Sequence, residues 1–203
     1  MIFDVTKVHM PKNSKNKKSK AKGQPLTAVH VQSYARYLLS PKPGHELYIA
    51  GERVAACYFQ GLTPGLIDDA EIAAERIADQ LEQWAISKRA NKSPAKYAYV
   101  IGSLAFSPDD KLTPEEAIER TKEAIARVMP GVRPGAFVCH SDTKHLHVHF
   151  VVSTVDENGR IWAPRGRDYS LWEAEAERQE IEYGYKKVQQ RRGVGREIER
   201  RAP

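Results

Sequence analysis

Apolar residues recur along this chain at two spacings, and the alternation of the two spacings predicts helices interleaved with strands. Spacings of three to four residues, typical of one helix face, occur over residues 29–39, 66–88, 114–129 and 171–183. Runs rich in β-branched and aromatic residues predict strands over residues 96–106, 135–140 and 146–155. Residues 46–61 alternate weakly and indicate one or two strands or an irregular loop. This order predicts an α+β fold, in which helices pack on one face of a central antiparallel sheet and the other face is open.

Capping and turn residues place two of the boundaries between these elements. Thr113 and Glu116 have the three-residue separation of a capping box, and Pro114 suits the first position of a helix. The pair Asn158-Gly159 is typical of a hairpin turn and predicts a short strand over residues 160–163. The helix after Thr113 and the turn at Asn158 are therefore expected features.

Charge is distributed unevenly and divides the chain into three parts. Residues 1–25 contain seven lysines against Asp4 alone, which accounts for the whole formal charge of +6. We expect 1–25 to be a flexible basic arm, 26–185 to be the folded domain, and 186–203 to be a charged tail leading into a further C-terminal region. The arm is either a solvated tail or a phosphate-binding segment. Its candidate DNA-binding residues are Lys12, Lys15, Lys17, Lys18, Lys20 and Lys22.

Cysteine content and hydropathy indicate the cellular compartment in which the protein is expected. Cys57 and Cys139 are too few for a disulfide framework and too far apart for a zinc-binding pair. The sequence contains neither a stretch of about 20 apolar residues nor an apolar signal segment at its start. We expect reduced thiols, no membrane insertion and a cytoplasmic location.

Four of the seven histidines fall within residues 140–149. Side chains alternate along a strand, so His145, His147 and His149 share one face. A hairpin through residues 141–145 places His140 opposite His147. We therefore expect His140, His147 and His149 to bind one metal ion with coordination positions left open, with His145 as the alternative ligand. Asp142 is either an acceptor that orients a ligand imidazole through its second nitrogen or a turn residue.

Three segments together resemble a known family. Residues 140–152, with His140, Asp142, His147 and His149, resemble the third motif of HUH-type conjugative relaxases, most closely the P-type mobilisation group that includes the T-DNA border nicking enzyme. Residues 34–38 are similar to the tyrosine motif of that group, and residues 98–104 are similar to its middle motif. The resemblance spans roughly residues 26–190. Ser153 stands where the family usually has Asn, and Lys144 where it often has an acidic residue.

The resemblance implies the HUH endonuclease fold and specific roles for single residues. It implies Tyr37 as nucleophile, with Tyr34 as the alternative, and a DNA contact for Ser103. The implied reaction is nicking and strand transfer at a plasmid origin of transfer through a covalent 5′-phosphotyrosine. A histidine, Asp142 or water on the metal would accept the phenol proton. The implied metal is Mg²⁺ or Mn²⁺, although imidazole ligands also suit Zn²⁺ and Ni²⁺.

The same resemblance implies partners and a bacterial cytoplasmic location. The expected substrate is single-stranded or supercoiled origin-of-transfer DNA. The expected protein partners are accessory relaxosome proteins and the coupling protein of a type IV secretion system.

Three other functions fit parts of the sequence. A histidine-triad nucleotide hydrolase would use His147 as nucleophile, because residues 145–151 satisfy its motif. A rolling-circle replication initiator would place its nucleophile after the histidines, at Tyr183 or Tyr185. A non-enzymatic module would bind single strands on its open sheet and use the histidines for a structural metal. The position of a covalent DNA adduct distinguishes these functions.

Overall fold

The computed structural model describes residues 2–4, 26–39, 53–65, 69–88, 99–162 and 168–186. Within these ranges five strands form one sheet: β1 Ile2–Asp4, β2 Val54–Gln60, β3 Tyr99–Phe106, β4 Gly135–His140 and β5 Leu146–Ser153. The strand order is β1-β3-β5-β4-β2, and every neighbouring pair is antiparallel. The predicted α+β class with a central antiparallel sheet is confirmed.

In the described part of the chain, four α-helices pack against this sheet: α1 Leu26–Leu39, α2 Ala70–Lys88, α3 Pro114–Val128 and α4 Asp168–Glu182. One face of the sheet packs on α3 and α4, where Ile125 and Trp172 meet Phe150 in one core. The other face packs on α1 and α2, whose buried residues include Leu38 and Leu81. The prediction that helices cover only one face is therefore corrected.

The sequence of the strands explains the second helical layer. Ile101, Val138 and Val151 point away from α3 and α4, because strand side chains alternate between faces. These apolar side chains are buried only if another layer covers them, and α1 and α2 form that layer.

Element boundaries agree with the sequence in most places. The capping box of α3 is present, with the Thr113 hydroxyl accepting from the Glu116 amide at 3.2 Å and the Glu116 carboxylate accepting from the Thr113 amide at 2.8 Å. The turn at Asn158-Gly159 also forms, but it leads only to a single bridge between Val155 and Ile161. The Asp156 carboxylate organises this turn by accepting from the Asn158 and Arg160 amides.

The start of the basic arm differs from its prediction. Ile2–Asp4 pairs with β3 as an edge strand, with Phe3 opposite Leu104. The prediction of a flexible arm is therefore wrong for these three residues, since their backbone pairs with the edge of β3. The six candidate arm lysines and residues 187–203 of the tail lie outside the described residues. Within the described part of the chain, none of the helices has the length and apolar character needed to cross a membrane.

Candidate active site

Three histidines meet at one end of the sheet, where β4 ends and β5 begins. His140 is paired with His147 across the two strands, and His149 follows on the same face of β5. One ring nitrogen from each of these histidines lies within 4.8 Å of the others. The predicted hairpin register and the convergence of the three imidazoles are confirmed. The alternative ligand His145 is exposed in the preceding turn and is not part of the cluster.

Hydrogen bonds at the far side of two rings determine which nitrogen faces the centre. His140 Nε2 lies 2.9 Å from the Leu38 carbonyl oxygen, so this nitrogen donates and leaves the lone pair on Nδ1. His147 Nδ1 lies 3.1 Å from the His145 carbonyl oxygen and leaves the lone pair on Nε2. His140 Nδ1 is buried and has no hydrogen-bond partner among the described residues.

The Tyr34 hydroxyl determines which nitrogen of His149 carries the proton. The Tyr34 hydroxyl donates to the Gly102 carbonyl at 3.1 Å and lies 3.4 Å from His149 Nδ1. Because the Tyr34 hydroxyl proton is already donated to Gly102, His149 Nδ1 must donate to the Tyr34 hydroxyl oxygen. The lone pair of His149 is therefore on Nε2. Among the described residues, His149 Nε2 is buried without a partner. Three ring nitrogens with free lone pairs thus belong to one cluster, an arrangement that fits a divalent cation.

Burial changes the pKa of two of the imidazoles in the cluster. Burial lowers the pKa of His140 to about 4, and it lowers the pKa of His149 to about 3 with a smaller contribution from neighbouring histidines. Both rings are neutral at neutral pH. A metal ion requires the neutral form, because a protonated ring offers no lone pair.

Asp142 lies beside the cluster in a different way from the one expected. Its Oδ1 is 3.6 Å from His147 Nε2, which is too long for a hydrogen bond, and its Oδ2 is 3.5 Å from Arg53 Nε. The expected orientation of an imidazole through its second nitrogen is not found for His147, because its Nδ1 faces the His145 carbonyl. The carboxylate instead adjoins the nitrogen that is left for a cation.

The two tyrosines of α1 have different environments. Tyr37 is 46% exposed, and its ring centroid lies 5.6 Å from that of His149 and 6.3 Å from that of His140. Tyr34 lies beneath it with its hydroxyl bound as described, and burial raises the pKa of Tyr34 well above its ordinary value. Of the two, Tyr37 is therefore the tyrosine that is accessible to solvent beside the histidines.

Ser103 and Arg53 complete the described surroundings of the cluster. Ser103, for which the sequence predicts a DNA contact, is paired with His149 in register and lies on the same face of the sheet. Arg53 is buried and lies over the Tyr37 ring, with 4.6 Å between the guanidinium carbon and the ring centroid. Sequence reasoning missed Arg53, because a single cation before a weakly patterned strand carries no motif.

The tyrosines proposed for a replication initiator lie elsewhere. Tyr185 packs against Phe106 at 6.2 Å between ring centroids, in the core beneath α3 and α4. The Tyr183 hydroxyl donates to Glu123 of α3 at 2.7 Å. Both residues are across the sheet from the histidines, so this alternative lacks the geometry it requires.

Comparison with known proteins places most of the described chain in one family. The family model described as the nuclease domain of MobA/VirD2-like relaxases matches residues 48–185, which is more than half of the chain. The matched range contains all three clustered histidines and Ser103, whereas Tyr34 and Tyr37 precede it. No curated protein matches the chain.

Proposed function

The chain belongs to the MobA/VirD2-like family of relaxases, and from that premise we propose that it nicks one strand of DNA at a plasmid origin of transfer. The observation that carries this proposal is the exposed Tyr37 ring, 5.6 Å from a ring of the histidine cluster. A nucleophile and a cation-binding centre at this separation can act on the same phosphodiester.

Tyr37 is the proposed nucleophile, and the reaction is a transesterification. The phenol oxygen attacks phosphorus in line, the new bond forms, and the bond from phosphorus to the 3′ oxygen breaks. The phenol proton passes to a base, for which Asp142 is the candidate, and the leaving 3′ oxygen takes up a proton. The phosphotyrosine retains the energy of the broken bond, so the free 3′-hydroxyl can reverse the step and transfer the strand.

His140, His147 and His149 are the proposed ligands of a divalent cation, Mg²⁺ or Mn²⁺. When bound, the cation neutralises charge on the scissile phosphate. Asp142 lies at the edge of this centre, where it can contribute to cation binding or accept a proton. Ser103 is the proposed DNA contact on the neighbouring strand. We further propose that the protein acts in the bacterial cytoplasm with accessory relaxosome proteins and a secretion coupling protein.

The position of a covalent adduct tests the proposed function. Incubation with Mn²⁺ or Mg²⁺ and an oligonucleotide of the cognate origin should leave the 5′ end of the downstream fragment on Tyr37, as peptide mapping would show. Tyr37→Phe should abolish the adduct while retaining DNA and metal binding, because only the phenol oxygen is removed. EDTA should also abolish it.

Tyr58 provides a matched control for this substitution. It is 40% exposed and packs against Phe137, which belongs to the core on the opposite face of the sheet. Tyr58→Phe should leave adduct formation unchanged. An adduct on Tyr183 or Tyr185 would support a replication initiator, and one on His147 a histidine-triad hydrolase. No adduct with the cognate origin would support a binding module.

A further inference from the structure

Arg53 is a buried cation that directly precedes β2 and lies beside the proposed nucleophile. Only 7% of the residue is exposed. Its carbonyl accepts a hydrogen bond from the Ser141 amide at 2.9 Å, which fixes it to the turn directly after His140. The backbone that carries this guanidinium is therefore held against the histidine hairpin.

The guanidinium contacts Tyr37 in two ways. Its carbon lies 4.6 Å from the centroid of the Tyr37 ring, within the range of a cation–π interaction. Its Nη1 also donates to the Tyr37 carbonyl oxygen at 3.3 Å. One side chain thus holds both the ring and the backbone of the same residue.

Arg53 also connects this tyrosine to the metal centre. Its Nε lies 3.5 Å from Asp142 Oδ2, and the other oxygen of Asp142 lies 3.6 Å from His147 Nε2. The planar guanidinium suits this bridging position, because its donors point in several fixed directions at once. A flexible lysine cannot reproduce that set of contacts.

The Tyr37 ring needs such support, because almost half of the residue is exposed. The ring meets that of His149 at an interplanar angle of 88°, and the guanidinium lies over a face of the ring. A displacement of about 1 Å in a reacting group can slow a reaction on the order of 100-fold. The position of the phenol oxygen is thus sensitive to this one contact.

We propose that Arg53 is the positioning residue of the nucleophile: it holds the Tyr37 ring against the histidine cluster and fixes it relative to Asp142. This inference rests on the proposed function of Tyr37. Arg53 acts through the tyrosine, so its removal affects the chemical step more than the binding of DNA or metal.

Two substitutions and one matched control test the proposal. Arg53→Met removes the charge and the planar donors but keeps an apolar side chain, and Arg53→Lys keeps the charge alone. Arg120 also lies over a tyrosine ring, with its guanidinium carbon 3.7 Å from the centroid of Tyr183 on the other side of the sheet. Arg120→Gln therefore removes an equivalent contact away from the site.

Single-turnover adduct formation, oligonucleotide affinity and Mn²⁺ affinity are measured for each variant. Arg53→Met should form the adduct about 100-fold more slowly, whereas both affinities stay within about threefold of the wild-type values. Arg53→Lys should recover part of this loss, and Arg120→Gln should match the wild type. If Arg53→Met does not fold, the intermediate rate of Arg53→Lys decides the question.

A fluorine label on the ring of Tyr37 gives a readout that does not depend on cleavage. In 3-fluorotyrosine-labelled protein, the ¹⁹F resonance of Tyr37 should shift and sharpen in Arg53→Met, because the ring loses its cover. An unchanged resonance and unchanged rate would overturn the proposal, as would a rate loss explained entirely by weaker oligonucleotide binding. A wild-type protein without an adduct would instead refute the proposed function, while the resonance would still report on the Arg53 contact.

Discussion

Each imidazole of the site uses one ring nitrogen to hold itself in place and directs the other towards its neighbours. The partners are the Leu38 carbonyl for His140, the His145 carbonyl for His147 and the Tyr34 hydroxyl for His149. These groups fix the orientation of each ring and the nitrogen that carries its proton. The affinity for the cation should therefore depend on residues that do not contact the cation themselves.

The order of Mn²⁺ affinities among single variants tests this arrangement at the residue scale. His147→Ala and His149→Ala should lose the most affinity, because each removes a nitrogen directed at the centre. Tyr34→Phe should lose about tenfold, since groups that orient a ligand typically contribute 10- to 100-fold. His145→Ala is the control and should bind as the wild type does.

Isothermal titration calorimetry of the unlabelled proteins measures these affinities without any DNA. If Tyr34→Phe binds Mn²⁺ as tightly as the wild type, its hydroxyl does not orient His149. If His145→Ala binds as weakly as His147→Ala, the proposed set of ligands is wrong.

Residue-scale prediction from the sequence succeeded where the chemistry is local. The cluster of His140, His147 and His149 follows from strand alternation and one hairpin, both contained in a short stretch. The contact of Tyr34 with His149 joins residues 115 positions apart, and no periodicity encodes it. Arg53 was missed for the same reason, because its role depends on contacts with both α1 and the histidine turn.

At the scale of elements, the two helical layers have separate tasks. The C-terminal turn of α1 supplies Tyr37 and the carbonyl that holds His140, whereas α3 and α4 enclose the core on the other face. Changes that weaken α3 should therefore affect the stability of the domain without altering the site.

The capping box of α3 allows a direct test of this separation. Thr113→Ala removes the acceptor for the Glu116 amide and should lower the free energy of unfolding by about 1 kcal/mol. Urea denaturation measures the loss as a lower midpoint with an unchanged slope. Thr113→Ser keeps the hydroxyl and should restore most of the stability.

The nicking rate of Thr113→Ala, measured well below its unfolding midpoint, should equal that of the wild type. A slower rate in the folded variant would contradict the independence of the two layers.

Elements with a regular pattern were predictable, and those defined by distant pairing were not. The helix after Thr113 and the strands on either side of the histidine turn follow from caps and alternation. The pairing of Ile2–Asp4 with β3 was not predicted, because three residues carry no period and their partner is about 100 positions away. The covering of the second face of the sheet by α1 and α2 was not predicted from the sequence, although apolar residues on both faces of the central strands indicate it.

At the scale of the whole molecule, the excess positive charge is confined to the first 25 residues. Truncation of that segment would also remove β1, which pairs with the edge of β3. The contribution of the lysines is therefore better tested by substitution than by deletion.

Replacing Lys12, Lys15, Lys17, Lys18, Lys20 and Lys22 with glutamine should weaken binding to every single-stranded DNA by a similar factor. Flexible lysines contact phosphates and do not read base edges. For every phosphate that the variant no longer neutralises, the slope of log affinity against log salt should become shallower by roughly 0.7. Fluorescence anisotropy at several salt concentrations measures the slope.

The same six positions changed to arginine keep the charge and should retain the wild-type slope. A glutamine variant with an unchanged slope would identify the arm as a solvated tail.

The hydrogen bond from His140 to the Leu38 carbonyl joins a proposed ligand of the cation to the residue next to the proposed nucleophile. A movement of the end of α1 that displaces Tyr37 must therefore strain the orientation of His140 as well. We therefore expect binding of the cation and binding of the DNA strand to be thermodynamically linked. Such linkage is reciprocal: the factor by which the cation tightens binding of the strand equals the factor by which the strand tightens binding of the cation.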